Sequence, residues 1–177
     1  LLMAKKVISM TLSEKSIQNA IKQLRDYQNS LEYKCSLLAQ KLTERGVEIA
    51  RAQVYDLDAV FTTELFNSIH SEYKGQIDGG SVWAVVAGTD HALFVEFGTG
   101  IIGSESPYPG KLPDGVSWQY ASGKTIRQLA DGRYGWFYPG DDGKWYFTDG
   151  MPSRPFMYNT SLELQRIVVE VAKEVFG

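Results

Sequence analysis

The chain has one cysteine, Cys35, in 177 residues. A single thiol closes no internal disulfide, so the fold suits a reducing compartment or is indifferent to redox state. Histidine is almost as scarce. His70 and His91 stand far apart, with no Cys-x-x-Cys or His-x-x-x-His spacing, so no metal site and no cofactor is expected. An excess of either charge is missing too: 18 basic residues face 21 acidic ones, a net charge of −3. Nucleic-acid binders concentrate lysine and arginine on one face. Here the longest cationic feature is Lys5-Lys6, so sequence-specific or otherwise tight binding to nucleic acid is not expected. No apolar run approaches the roughly 18 residues that span a bilayer. The opening LLMAKKVISM is too short and too quickly polar for a secretory signal, and Met3 reads as the natural start. Gly98-Thr-Gly100 lacks the flanking pattern and the lysine of a phosphate loop. Asp141-Asp142 beside Gly143 is too sparse for a calcium loop, which needs oxygen ligands at alternate positions.

What is present is enough for one α+β domain spanning residues 1–177, since a chain this long buries a core without disulfides or metals. Residues 6–11 (KVISMT) alternate apolar and polar, which predicts a short strand. Thr11 or Ser13 can cap the helix that follows, and Thr11-Leu-Ser-Glu14 fits a capping box. Ile17, Ile21, Leu24, Gln28, Leu31, Cys35, Leu38 and Leu42 recur at alternating steps of four and three, one stripe of a long helix. From Glu14 to Arg45 this helix would be about 48 Å long, with Gly46 stopping or kinking it. Two readings stay open: the stripe lies across a sheet, or part of it packs on another subunit. A second helical pattern, with Ile49, Val54, Leu57, Phe61 and Leu65, runs over 47–70. Three strand-like runs follow at 69–73, 82–87 and 92–97, separated by glycine turns, which predicts an antiparallel meander.

Residues 101–150 change character. Nine glycines fall from Gly103 through Gly150, with four of the six prolines. A disordered linker would be poor in aromatics, yet this stretch holds Trp118, Tyr120, Trp136, Phe137, Tyr138, Trp145, Tyr146 and Phe147. It reads as a loop or arm that orders against something, with Trp118, Trp136, Tyr138, Trp145 and Tyr146 as its candidate contact residues. Residues 136–138 and 145–147 flank Pro139-Gly-Asp-Asp-Gly143, a hairpin signature. A last helix carries Met157, Ser161, Leu164, Val168, Val171 and Val175 on one stripe. The architecture expected is a long N-terminal helix and a C-terminal helix packed on a small antiparallel sheet.

The residue whose role is most open is Glu96, in HALFVEFGTG (91–100). A lone acid that ends an apolar run is a catalytic carboxylate or a structural anchor. General acid–base catalysis needs a partner within reach, and no second acid stands at helical or strand spacing. Cys35 with His70 or His91 makes no better case, because Cys35 lies on an apolar helix stripe where a thiol behaves as a small hydrophobe. A half-buried carboxylate wants a cation or several donors. Arg154, held between two prolines, is the cation expected to pair with it, tying the end of the 92–97 run to the last helix.

Together, Leu65-Phe-Asn-Ser-Ile69, Phe94-Val-Glu-Phe-Gly-Thr-Gly100 and Pro152-Ser-Arg-Pro-Phe-Met157, between a long N-terminal helix and a final amphipathic one, resemble the tail-component or neck (head–tail connector) family of long-tailed bacteriophages. That family is typified by gene product ten of HK-type lambdoid phages, and the resemblance covers about residues 14–176. It implies a small α+β virion protein without enzymatic activity, acting as a ring subunit at the head–tail junction and present in the host cytoplasm during assembly. Its implied partners are other copies of itself and neighbouring head-closure or tail proteins, with DNA passing through the assembled channel. Glu96, Phe97, Gly98, Thr99, Arg154, Pro155 and Phe156 match the family's signature positions. The aromatic stretch 101–150 departs from the pattern, being long and rich in Trp and Tyr. Residues 135–147 are also similar to a single choline-binding repeat of cell-wall proteins, in which aromatic side chains cage a quaternary ammonium. The alternative function is therefore a choline- or carbohydrate-binding module built on this hairpin.

Overall fold

The computed structural model describes residues 7–59, 63–112, 114–120, 126–140 and 142–177. It is mixed α+β, with a long N-terminal helix, a C-terminal helix and small antiparallel sheets. The chain forms two compact units. The first comprises residues 1–48, 70–86 and 163–177, the second residues 49–69 and 87–162.

The first unit is dominated by α1 (Glu14–Asp56), which supplies residues up to Glu48. Its start is set locally: the Ser13 carbonyl accepts the Ile17 N–H, the Ser13 hydroxyl faces the Ser16 N–H, and Thr11 N–H donates to the Ser16 hydroxyl. Ser13 thus satisfies a donor that the first turn leaves without a helical partner. The strand expected at 6–11 is not formed over residues 7–11, and Lys6 lies outside the described residues. At 43 residues α1 is about 65 Å long. It runs through Gly46 instead of stopping there. A Cβ at Gly46 would sit 2.7 Å from Val85 Cγ2 and 3.1 Å from Leu164 Cδ1, so the glycine is a contact point, not a helix end. Val85 belongs to β2 (Gly80–Ala87), which pairs with β1 (Ile69–Ile77) across the two-residue turn 78–79, where Gly79 takes φ +81°. Leu164, Val171 and Val175 come from α5 (Phe156–Phe176), whose end reaches α1 through a Lys41–Glu174 ion pair at 3.3 Å and Lys34 over the Phe176 ring.

The second unit holds the larger buried cluster: Ala50, Val54, Ala59, Leu65, Ile69, Ala92, Val95, Phe97, Phe156 and Thr160. Leu65 comes from α2 (Thr63–Ser68); Phe61, expected on the same stripe, lies outside the described residues. The third strand of the expected meander is instead a helix, α3 (Ala92–Phe97). Six residues alternate or repeat at 3.6 equally well, so burial decides. Ala92, Val95, Glu96 and Phe97 are buried while Leu93 and Phe94 stay exposed, which is a helical face. After Gly98 and Thr99 comes α4 (Gly100–Glu105).

The 101–150 stretch carries regular structure among its described residues. Beyond α4 it carries a three-stranded antiparallel sheet of order β3-β4-β5: Arg127–Gln128, Tyr134–Pro139 and Trp145–Thr148. The expected hairpin is β4–β5, with Phe137 opposite Phe147 and Tyr138 opposite Tyr146. The chain then returns through β6 (Gly150–Met151), which bridges back to Thr99 and Gly100.

The Gly46 contact carries a prediction. A helix-interior glycine costs about 1 kcal/mol against alanine, yet a larger side chain here meets stiff, β-branched Val85. Gly46→Val is expected to destabilise the protein by about 1–3 kcal/mol through overpacking, read as a lowered midpoint in urea denaturation with unchanged slope.

Candidate functional site: the Glu96 clamp and the aromatic cleft

The first turn of α5 begins after Pro155, which offers no side-chain acceptor. A helix start leaves its first N–H groups without helical partners, and here each is accounted for. Phe156 N–H bonds the Arg154 carbonyl, and Asn159 N–H makes the first regular bond, to Pro155. Between them, Met157 and Tyr158 donate to the two carboxylate oxygens of Glu96, at 2.9 and 3.0 Å. Glu96 caps a helix that starts 60 residues later in the chain. Its negative charge also sits at the positive end of the α5 dipole.

The expected side-chain pair with Arg154 gives way to this arrangement. The carboxylate takes backbone amides, while Arg154 Nε donates to the Leu57 carbonyl at 3.0 Å. Arg154 still ties the junction, because its own N–H bonds the Val95 carbonyl at 2.8 Å. Ser153 adds a hydroxyl bond to the Glu96 carbonyl at 2.6 Å and an N–H bond to Ser106. A guanidinium was the obvious partner for a lone acid from sequence; the free amides of a proline-capped helix were the donors that went uncounted.

Glu96 is 6% exposed. Burial pushes its carboxyl above the ordinary value of 4.5, against the opposing pull of the Met157 and Tyr158 amides. Tyr108 packs edge-on against both Phe97 and Tyr158. Burial first, and then the Glu96 charge, pushes its phenol up.

The Gly-Thr-Gly turn has its own steric reason. Gly98 adopts φ +78°, and a Cβ there would lie 2.6 Å from the Ser153 nitrogen. Thr99 is extended and bridges Met151; Gly100, at φ +67°, bridges Gly150. The signature residues Glu96, Phe97, Gly98, Thr99, Arg154, Pro155 and Phe156 therefore converge on one junction, with Phe156 1% exposed at its base. Sequence reasoning missed Ser153, Tyr108 and Tyr158, which complete the junction; Ser153 was visible within Pro-Ser-Arg-Pro.

The aromatic residues divide. Trp118 and Trp136 meet in a cleft of about 400 Å³ lined also by Phe94, Thr99, Tyr120, Ser117 and Gln119. Trp118 is fixed by its indole N–H to the Gly98 carbonyl, 2.9 Å, and by tilted contacts with Phe94 and Phe97. Tyr120 accepts the Gly100 N–H through its carbonyl. Tyr138 and Tyr146 do not reach the cleft. They form a cross-strand pair on the hairpin, with the Tyr146 hydroxyl on Asp142 at 2.8 Å. Trp145 is 67% exposed. Comparison with protein-family models, curated proteins and solved structures gives no match.

Glu96→Ala leaves two buried amides unpaired and is expected to cost about 2–4 kcal/mol in denaturant unfolding. Glu96→Gln keeps one acceptor and falls between. Because the folded-state pKa is raised, the folded chain binds the proton more tightly than the unfolded one. That contribution is fully present below pH 4.5 and is lost as pH rises through the folded-state value. The native chain is therefore expected to gain stability relative to Glu96→Gln on acidification, measured as the pH dependence of the difference in unfolding free energy.

Proposed function

We propose that the chain is a non-enzymatic structural protein of a bacteriophage virion, a ring subunit of the head–tail junction that works in connector or tail assembly. The observation that carries this reading is the clamp. The two segments behind the resemblance, Phe94–Gly100 and Pro152–Met157, lie far apart in sequence and bond directly to each other through Glu96, Ser153 and Arg154. Both oxygens of the one suspicious carboxylate are engaged by backbone amides, as befits an anchor more than a catalyst. A subunit that must keep its shape under assembly forces needs such a rigid joint, and a near-neutral net charge suits a channel through which DNA slides. Deleting the gene from its phage or prophage and imaging the induced lysate by electron microscopy tests the proposal. Full heads lying apart from finished tails are expected; intact, infectious particles would overturn it.

A second reading, ligand binding, is favoured by the cleft rather than by the hairpin as a whole. Strand pairing puts Trp136, Tyr138 and Tyr146 on one face and Phe137, Phe147 and Trp145 on the other, so the hairpin alone builds no single cage. Trp136 instead joins Phe94, Trp118 and Tyr120 around hydroxyl and amide groups, and none of the described lining residues is charged. Rings plus neutral hydrogen-bonding groups suit an uncharged sugar. Under this reading, chitooligosaccharides change the tryptophan fluorescence of the native chain, and Trp136→Ala abolishes the change. An unresponsive native chain removes it.

A further inference from the structure

Among the described residues, the stripe on α1 is largely exposed over its N-terminal half. The end of α5 gives out near Lys34, whose ammonium lies 5.6 Å from the Phe176 ring centre. The β1–β2 turn meets α1 at Cys35, the nearest side chain to Gly80. Earlier along the helix Ile17, Ile21 and Leu24 are 36%, 38% and 56% exposed, and Cys35 is exposed. Ala20 is buried, on the neighbouring face where Thr11 N–H turns back to the Ser16 hydroxyl. The exposed residues are not scattered. Ile17, Leu24 and the half-buried Leu31 alternate with Ile21, Gln28 and Cys35 at steps of four and three, the a/d seam of a two-helix coiled coil.

We infer that two copies of the chain pair along this seam, antiparallel, about a two-fold axis near Asp26. Charge fixes the orientation. In the antiparallel register that sets Ile21 against Leu31 of the second copy and Leu24 against Gln28, residue 25 on the flank of one helix faces residue 32 of the other. The axis makes this happen twice, giving two Arg25–Glu32 ion pairs between copies and no like charges opposed. Arg25 has no ion pair within the chain among the described residues. Glu32 accepts one bond, from Gln28 to Oε1 at 3.0 Å, and keeps Oε2 available. An in-register parallel pair gives neither: it sets Arg25 against Ala20, Glu32 against Tyr27, and Gln28 and Cys35 each against itself. The antiparallel contact is self-complementary and closes on itself, so it cannot alone extend a ring and stands independently of the virion reading.

Cross-linking of the full chain with a short bismaleimide tests the pairing. The antiparallel register sets residue 17 beside residue 35 of the second copy. It keeps each of these about 27 Å from its own counterpart, 18 residues at 1.5 Å. The expected results are a light-scattering mass of twice 19.8 kDa, no cross-link in the native chain, a cross-linked dimer for Ile17→Cys, and none for Ile17→Cys with Cys35→Ser. Arg25→Glu should dissociate the dimer, and adding Glu32→Arg should restore it, with unchanged circular dichroism marking an intact fold. A Cys35–Cys35 cross-link in the native chain would overturn the antiparallel register. A monomer mass at high concentration would overturn the pairing altogether.

Discussion

Two backbone N–H groups at the start of α5 need acceptors, and Pro155 cannot provide one. The carboxylate of Glu96 meets that need from another helix. Everything at the junction follows from bringing it there. Gly98 must turn the chain tightly enough for Ser153 to lie against it, Thr99 must run extended beside Met151, and Phe97 and Phe156 must fill the space beneath. Buried carboxylates are costly unless their oxygens are satisfied; this one is satisfied by the same groups that would otherwise be unpaired. The two requirements cancel each other, and neither helix end is complete alone.

This explains what could be read in advance and what could not. The long helix, the last helix and the β4–β5 hairpin were legible because each has a periodicity or turn chemistry of its own. So was the importance of Glu96, as an acid in an apolar run. Its partner was not, because backbone amides leave no trace in a sequence, whereas Arg154 is visible as a cation. Six-residue α3 was misread as a strand for a related reason. Its buried face is chosen by what packs on it, and local pattern cannot separate the two periods over so short a run. Gly46 was read as a stop or a kink because glycine often marks one; its contact with Val85 and Leu164 lies in the tertiary structure.

The aromatic stretch shows the same division between composition and placement. Its richness in Trp and Tyr indicated order, and a sheet is present. Composition did not say which rings turn inward. Trp118 is recruited by the Gly98 carbonyl and Trp136 by the open space over Gly100, while Trp145 remains outside. Glycines in the turn thus serve twice, admitting a backbone bend and admitting an indole.

The bridges of Thr99 to Met151 and Gly100 to Gly150 have one more consequence. Residues 101–149 leave and re-enter the structure at adjacent backbone positions, so the excursion hangs from a closed neck. The entropy of closing such a loop grows only slowly with its length, by about 0.6 kcal/mol per doubling. Closure entropy by itself therefore sets little limit on the length of what the neck carries. The excursion is nonetheless not detachable, because it returns Tyr108 against Phe97 and Tyr158, the Ser106 carbonyl to the Ser153 N–H and the Trp118 indole to the Gly98 carbonyl; length is free only outside those contacts, as in the hairpin that carries exposed Trp145.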